Sequence, residues 1–344
     1  MRRFTDAPIM RTPIVATMVL GLSTTAALVA LVAGGGAAAD PTLVRVKLFG
    51  GLSNLPIFVG QAKGFFAKHG LRVETEQTPD SDVLRKGLAE GAFEIAAAGV
   101  DNALAMVDTA GADVIVVMGG DSAMNSVIVQ PHITSIAELR GQQFIVDAPN
   151  TAYALVAKKI LALNGLAAGR DYTITPTGGT IRRFQLMREH REYAGSMLNP
   201  PSSLMAEKLG FRNLGSAVKL IGPYQGTGAF VMRRWAEANR DALERYIQGY
   251  VEALRFIQAP ANRADVTAFI AERYKLPADI AAKAYEAAID PADGFAPDAR
   301  LNIEGLRNVL ALRAEIERGG AKAEPAEKYY DLTYHQRAVA TLGR

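Results

Sequence analysis

A strand, helix, strand, helix series occurs twice in this chain, about one hundred residues apart, and this duplication restricts the fold more than any other feature. The segment VRVKLFGG (44–51) alternates apolar and polar residues and runs into glycine, and QFIVDAPN (143–150) repeats the pattern. After the first comes a helical stripe of Leu55, Phe58, Ala62, Phe65 and Phe66 that stops at Gly70. After the second the stripe is Ala152, Leu155, Val156, Ile160 and Leu163, stopping at Gly165. The match continues through the strands LRVETEQTP (71–79) and DYTITPTGG (171–179) and the helices around DVLRKGLAEG and IRRFQLMREH. Next come the strand-to-loop units EIAAAGVDNA (94–103) and YAGSMLNPPS (193–202). A short helix and a closing strand finish each copy, ADVIVVMGG (112–120) in the first and AVKLIGPY (217–224) in the second.

Alternating strands and helices imply parallel sheets with right-handed crossovers, so each copy is expected to form an α/β lobe. From Asn239 the pattern turns helical, with Leu243, Tyr246, Ile247, Tyr250, Leu254 and Ile257 on one face. Further helices are expected over 266–274, 277–289 and 303–316. The expected organisation is an export signal over 1–39, a first lobe of 40–123 plus 228–344 with a helical C-terminal part, and a second lobe of 124–227. The chain should cross between lobes near Ser122–Val127 and Gln225–Ala229, which makes a hinge of two segments.

Arg2, Arg3 and Arg11 stand against Asp6 at the start, followed by an uncharged stretch from Ile14 to Val32. Ala37 and Ala39 then supply an A-x-A cleavage site before Asp40, the pattern of a cleaved export signal. The alternative is an uncleaved anchor, since the apolar stretch approaches the roughly 20 residues that span a bilayer. The formal charge of the whole chain is +3, and the first 39 residues hold three arginines and one aspartate, leaving +1 on the remainder. No concentrated basic stripe is left to hold a nucleic acid. The absence of cysteine excludes a lipid-anchored lipoprotein, disulfides, thiolate metal sites and cysteine nucleophiles. A monomer is expected.

In an open parallel sheet, ligands sit beyond the carboxyl ends of the strands, where loops diverge and helix N-termini point outward. Two such lobes facing each other would enclose a small molecule. The candidate residues in the first lobe are Ser53, Asn54 and Leu55, then Gly99, Val100, Asp101 and Asn102, then Ser122 and Asn125. In the second lobe they are Thr151 and Tyr153, Thr180 and Arg182, Asn199, and finally Tyr224 and Thr227. The same residue types also serve turns without any ligand. Asn54, and Asn150 or Thr151, can cap the helices that follow them. The positive ends of those helices favour an anionic or strongly polarised group such as sulfonate, carboxylate or nitrate. Arg182 and Arg183 could grip an anion in a bidentate way, and Tyr153 and Tyr224 could stack on it from opposite walls. Asp101 and Asp147 could form a carboxylate pair, although loop capping or binding of an amine is the simpler reading. No histidine pair has metal-ligand spacing, and neither a G-x-S-x-G elbow nor a phosphate-cradling glycine motif occurs. Catalytic residues, metal ligands and cofactors are therefore not expected.

Four segments carry a resemblance: LPIFVGQAKGFFAKHGLRVE (55–74), LRKGLAEGAFEIAAAGVDNAL (84–104), ITSIAELRGQQFIV (133–146) and AFVMRRWAEANRDALERYIQGYVEAL (229–254). They resemble the nitrate, sulfonate and taurine binding-protein family, whose members also include carriers of pyrimidine thiamine precursors. The resemblance runs from about Val44 to Leu332 and is nearly silent about the ligand. It implies the type II periplasmic binding protein fold and a periplasmic solute-binding component of an ABC importer. Such a component captures a small anionic or polarised organic molecule, whether a sulfonate, carboxylate, nitrate-like or heteroaromatic one, and delivers it to permease subunits at the inner membrane. A ligand-binding sensor subunit for a membrane receptor is the alternative, and an enzyme of the same fold is less favoured. The chain departs from the family in having Glu192 and Tyr193 where a Gly and an Asp are usual before the MLNPP loop. Thiamine-precursor synthases of this fold use His and Cys chemistry, whereas this chain has no Cys and only His69, His132, His190 and His335.

Overall fold

Val44, Val46 and Leu48 are buried while Arg45 is exposed and Lys47 half-buried between them, the period-two pattern of a strand with one face in a core. This is β1 (Thr42–Leu48) of a computed structural model that describes residues 40–343. The expected export signal falls outside the described residues. After β1 come α1 (Leu55–Ala62), α2 (Phe65–Lys68), β2 (Leu71–Gln77), α3 (Ser81–Glu90), β3 (Ile95–Gly99), α4 (Asp101–Ala110) and β4 (Val114–Gly119). The next segment holds β5 (Ser126–Val129), β6 (Gln143–Val146), α5 (Ala152–Leu163), β7 (Thr173–Pro176), α6 (Thr180–Glu189), β8 (Tyr193–Leu198), α7 (Ser202–Lys208), β9 (Arg212–Ser216) and α8 (Ala217–Ile221). The remainder is β10 (Thr227–Met232), α9 (Arg233–Ala238), α10 (Arg240–Gln258), α11 (Arg263–Tyr274), α12 (Ala278–Ile289), α13 (Ile303–Glu317) and α14 (Thr333–Leu342).

The strands form two five-stranded sheets, in the orders β2-β1-β3-β10-β4 and β7-β6-β8-β5-β9. The duplication is visible here as topology, because β6, β7, β8 and β9 occupy in the second sheet the places of β1, β2, β3 and β4 in the first. Strand β1 pairs in parallel with β2 and β3, and β6 pairs in parallel with β7 and β8. The fourth place in each sheet is filled by a strand made where the chain changes lobe. Strand β5 runs antiparallel to β8 and β9, and β10 runs antiparallel to β3 and β4. Each sheet is thus mainly parallel with one reversed strand.

One expected strand is a helix. Residues 217–221 of AVKLIGPY form α8, and the closing strand of the second copy is β9, just before it. The Ser216 side chain accepts from the Lys219 N–H at 3.4 Å and so starts a helical turn. A run of five residues, four of them apolar, is too short to be assigned by periodicity, and here the local cap decides. The long helix α10 packs on α1, α2 and α14 beneath the first sheet, and α11, α12 and α13 follow close to the expected spans. A continuous core runs from Leu104 of α4 and Val116 of β4 through Leu155 and Ile160 of α5 to Leu306 and Leu310 of α13. Helix α13 therefore touches both lobes. No helix among the described residues is long and apolar enough to cross a membrane.

Candidate functional site

The carboxyl ends of the parallel strands of both sheets open into a common cavity of about 820 Å³, within the range of sites for small organic ligands. Its first wall is made by Gly50 and Ser53 after β1, Gln77 to Ser81 after β2, and Gly99, Asp101 and Asn102 after β3. The facing wall is made by Asp147, Ala152 and Tyr153 after β6, Pro176 to Arg183 after β7, and Asn199 after β8. Asp121, Ala123, Gly226 and Thr227, where the chain crosses between lobes, form the base.

Asp121 ties the two crossings together. Its carboxylate accepts from the N–H groups of Ala123 at 2.9 Å and Met124 at 3.3 Å and from the Thr227 hydroxyl, while its carbonyl accepts from Gly226 N–H at 3.0 Å. Burial pushes this carboxyl up, and the hydroxyls of Thr227 and Ser53 with the two backbone donors pull it back. At Gly226 a Cβ would stand 2.2 Å from the Ala123 nitrogen, so only glycine lets the crossing segments lie backbone against backbone. Asp121 was not among the expected site residues. The crossing was legible around it, but its bonds to Thr227 and Ser53 join segments far apart in the chain.

Of the expected residues, Ser53, Asn54, Gly99, Asp101, Asn102, Tyr153, Thr180, Arg182, Asn199 and Thr227 are on the cavity wall. Leu55 and Val100 point into the core, because each belongs to the first turn beside its loop and is fully buried. Ser122 is half-buried off the wall and donates its N–H to Gly294 at 3.1 Å. Asn125 and Tyr224 are buried behind the base. Thr151 is buried too, with its hydroxyl donating to Asp147 Oδ1 at 2.5 Å.

The expected side-chain caps are not formed. Asn54 Nδ2 turns back and donates to the Phe49 carbonyl at 2.5 Å, and Thr151 serves Asp147 instead of the first N–H groups of α5. A donor of the 3-10 turn before α1, Leu52 N–H, is taken by the Pro200 carbonyl of the other lobe at 2.9 Å. The start of α5 faces Asp101, and a Cβ on Gly99 would be 3.8 Å from the Ala152 side chain.

Charge on the wall is uneven. Asp80, Asp101, Asp121 and Asp147 line the cavity against Arg182 and Arg183. Arg183 is buried and fully engaged: it donates to the Ser196 hydroxyl at 2.9 Å and to the carbonyls of Gly178 at 2.7 Å and Met197 at 3.0 Å. Its expected role as an anion grip is therefore taken over by its own lobe. Arg182 is exposed at the rim, with no ion-pair partner among the described residues. Burial pushes Asp101 up to about 6, with the Arg313 guanidinium and the Ala152 N–H opposing. Arg313 comes from α13, over two hundred residues further along, and nothing local in the sequence signals it.

Residues 37–271 match the family model described as the NMT1-like family. No curated protein matches the chain. Among solved structures, a Bordetella bronchiseptica RB50 protein superposes with a TM-score of 0.75 at 20% identity, covering 88% of this chain and 98% of its own. The periplasmic nitrate-binding protein NrtA from Synechocystis PCC 6803 gives 0.73 at 12% identity, with 88% and 89% covered. The alkanesulfonate-binding protein SsuA from Xanthomonas axonopodis pv. citri, bound to MOPS, gives 0.69 at 17%, with 85% and 99% covered. The desulfurization enzyme DszB is similar at a TM-score of 0.59 and 10% identity, covering 87% of this chain and 100% of its own. At these identities the likenesses establish a shared fold.

Proposed function

This chain belongs to the NMT1-like family, and on that premise we propose that it is the periplasmic solute-binding component of an ABC importer. The observation that carries the reading is the cavity of about 820 Å³ walled by equivalent loops of two duplicated sheets. NrtA, a nitrate-binding protein, and SsuA, an alkanesulfonate-binding protein, share the fold and support the reading. The cavity's titratable side chains are carboxylates, guanidiniums and the Tyr153 phenol, a set suited to holding a polar solute.

The mechanism follows from where the contacts lie. A solute enters between the lobes and touches both walls. Because the closed form makes contacts that the open form lacks, the solute shifts the population toward closure. The crossings at Asp121–Asn125 and Gln225–Thr227 absorb the change, and the closed surface is what permease subunits would meet. The wall residues Ser53, Asn54, Gly99, Asp101, Asn102, Tyr153, Thr180, Arg182, Asn199 and Thr227 are the proposed ligand contacts. Export would follow from the signal pattern over 1–39.

Native mass spectrometry of the protein purified from cells, with small-angle scattering before and after removal of the bound molecule, tests this reading. The expected result is one small organic molecule per chain and an increase in radius of gyration when it is removed. A protein that carries nothing, and keeps one shape across a broad solute panel, would not be a solute-binding component.

A further inference from the structure

The four carboxylates of the cavity differ in how their oxygens are used. Asp80 accepts from the Val83 N–H at 2.8 Å, Asp147 from the Thr151 hydroxyl at 2.5 Å, and Asp121 from two N–H groups and the Thr227 hydroxyl. Asp101 is 1% exposed, and neither of its oxygens has a partner at hydrogen-bond distance, although the Ala152 N–H at the start of α5 is directed at it. The nearest guanidinium nitrogen, Arg313 Nη1, is 3.9 Å away, and Arg313 is itself bound to Glu317 at 2.7 Å. Asn102, 3% exposed, gives its Nδ2 to the Gly99 carbonyl at 3.3 Å and leaves Oδ1 without a donor. Asn199, 6% exposed, also has an unpartnered Oδ1.

The buried, unpartnered atoms of the wall are therefore all acceptors, and one of the groups is a charged carboxylate. A buried charge without a donor is costly, and a bound cation that donates hydrogen bonds removes that cost. An anion placed at the same spot would be repelled by the Asp101 charge. We propose that the solute carries a protonated amine or an amidinium, seated on Asp101 and donating to the side-chain carbonyls of Asn102 and Asn199. This rests on the solute-binding reading and names the chemistry of the cargo.

The test combines two measurements on the purified protein. Native mass spectrometry identifies the co-purifying molecule. Calorimetry and thermal shift then compare phenethylamine, agmatine and benzamidine with 3-phenylpropionate and benzenesulfonate. The expected result is a bound molecule with a basic nitrogen and a raised melting temperature with the amines and the amidine only. Asp101→Asn should lose about 30-fold or more of that affinity. Asp82→Asn, an exposed carboxylate outside the cavity, should keep it. Should Asp101→Asn fail to fold, Asn102→Ala serves instead, with a loss of about 5-fold. A bound molecule without a basic nitrogen, selective binding of the anions, or amine binding unchanged in Asp101→Asn would overturn the assignment and leave the solute-binding reading standing. No molecule bound in either measurement would remove both.

Discussion

Two aspartates that look alike in the sequence behave differently because of what surrounds them. Asp147 has Thr151 four residues on, and the threonine hydroxyl satisfies it. Asp101 opens α4 on the first wall of the cavity, where the Ala152 N–H is directed at it and the charged groups around it stand at a distance. Arg313 faces it from α13, Asp147 from the loop before α5 and Arg85 from α3, with the Tyr224 phenol nearby. Burial holds its carboxyl near 6, above the value of about 3.8 it has when the chain is unfolded. The folded, unliganded protein therefore takes up this proton more readily than the unfolded chain between about pH 4 and 6, and the ionised group weakens the fold above that window. The stability difference between Asp101→Asn and the parent should grow, in favour of the variant, by on the order of 3 kcal/mol as pH rises from 4 to 7.5. Urea unfolding at the two pH values, without ligand, measures it; a constant difference would mean that Asp101 carries no such penalty. The loop position of both aspartates was legible in the sequence, along with their fitness for capping or for an amine. Asp147 finds its donor four residues away, whereas what surrounds Asp101 is decided by the segments that folding brings to it.

At the scale of elements, the periodic stripes gave the helices and their buried faces, but not how closely those faces approach. Phe66 of α2 stacks on Tyr246 of α10 with ring centroids 5.3 Å apart. At Gly249, one turn further along α10, a Cβ would stand 2.6 Å from the Phe66 ring and 3.2 Å from its Cα. Overpacking of this kind costs about 1–3 kcal/mol, which matches or exceeds the roughly 1 kcal/mol that alanine gains over glycine inside a helix. Gly249→Ala should therefore destabilise the protein by up to about 2 kcal/mol in urea unfolding. With Phe66→Leu already present, the same substitution should be neutral or stabilising; a loss of equal size in both backgrounds would put the cause elsewhere. The missed elements fail for local reasons of the opposite kind. Residues 217–221 are a helix because Ser216 caps them, and Asn54 leaves the cap position because the Phe49 carbonyl lies within its reach. Strand β5 is only four residues long and sits on the crossing, outside the duplicated series that made its neighbours recognisable.

Across the whole molecule, each sheet has one antiparallel strand at a crossing, but only the first sheet is assembled from two stretches of chain, β1 to β4 and then β10, whereas β5 to β9 of the second follow one another without interruption. The lobes also meet away from the cavity. Leu52 N–H reaches the Pro200 carbonyl, and two ion pairs join the C-terminal helices to the second lobe, Lys159 with Glu315 at 2.7 Å and Lys208 with Asp279 at 2.8 Å. Lys208 holds the Asp279 carboxyl below the usual carboxylate range. Such exposed pairs are weak and screened by salt, so they trim the balance between open and closed forms without setting it. In the solute-binding reading, replacing Lys159 and Lys208 together by alanine should speed release of the co-purifying solute about threefold at low salt and change little at 1 M salt, as read by stopped-flow dissociation. Equal rates at low salt would place closure elsewhere. The duplication, the α/β class, the helical tail and the loops facing the cavity were all determined by the sequence alone, because periodicity and turn chemistry are local and survive in one dimension. The tertiary structure alone decided which carboxylate is left without a donor, which arginine is used up within its own lobe, and that α13 reaches both lobes. Burial and hydrogen-bond partners at these places come from segments up to two hundred residues apart, and only folding brings them together.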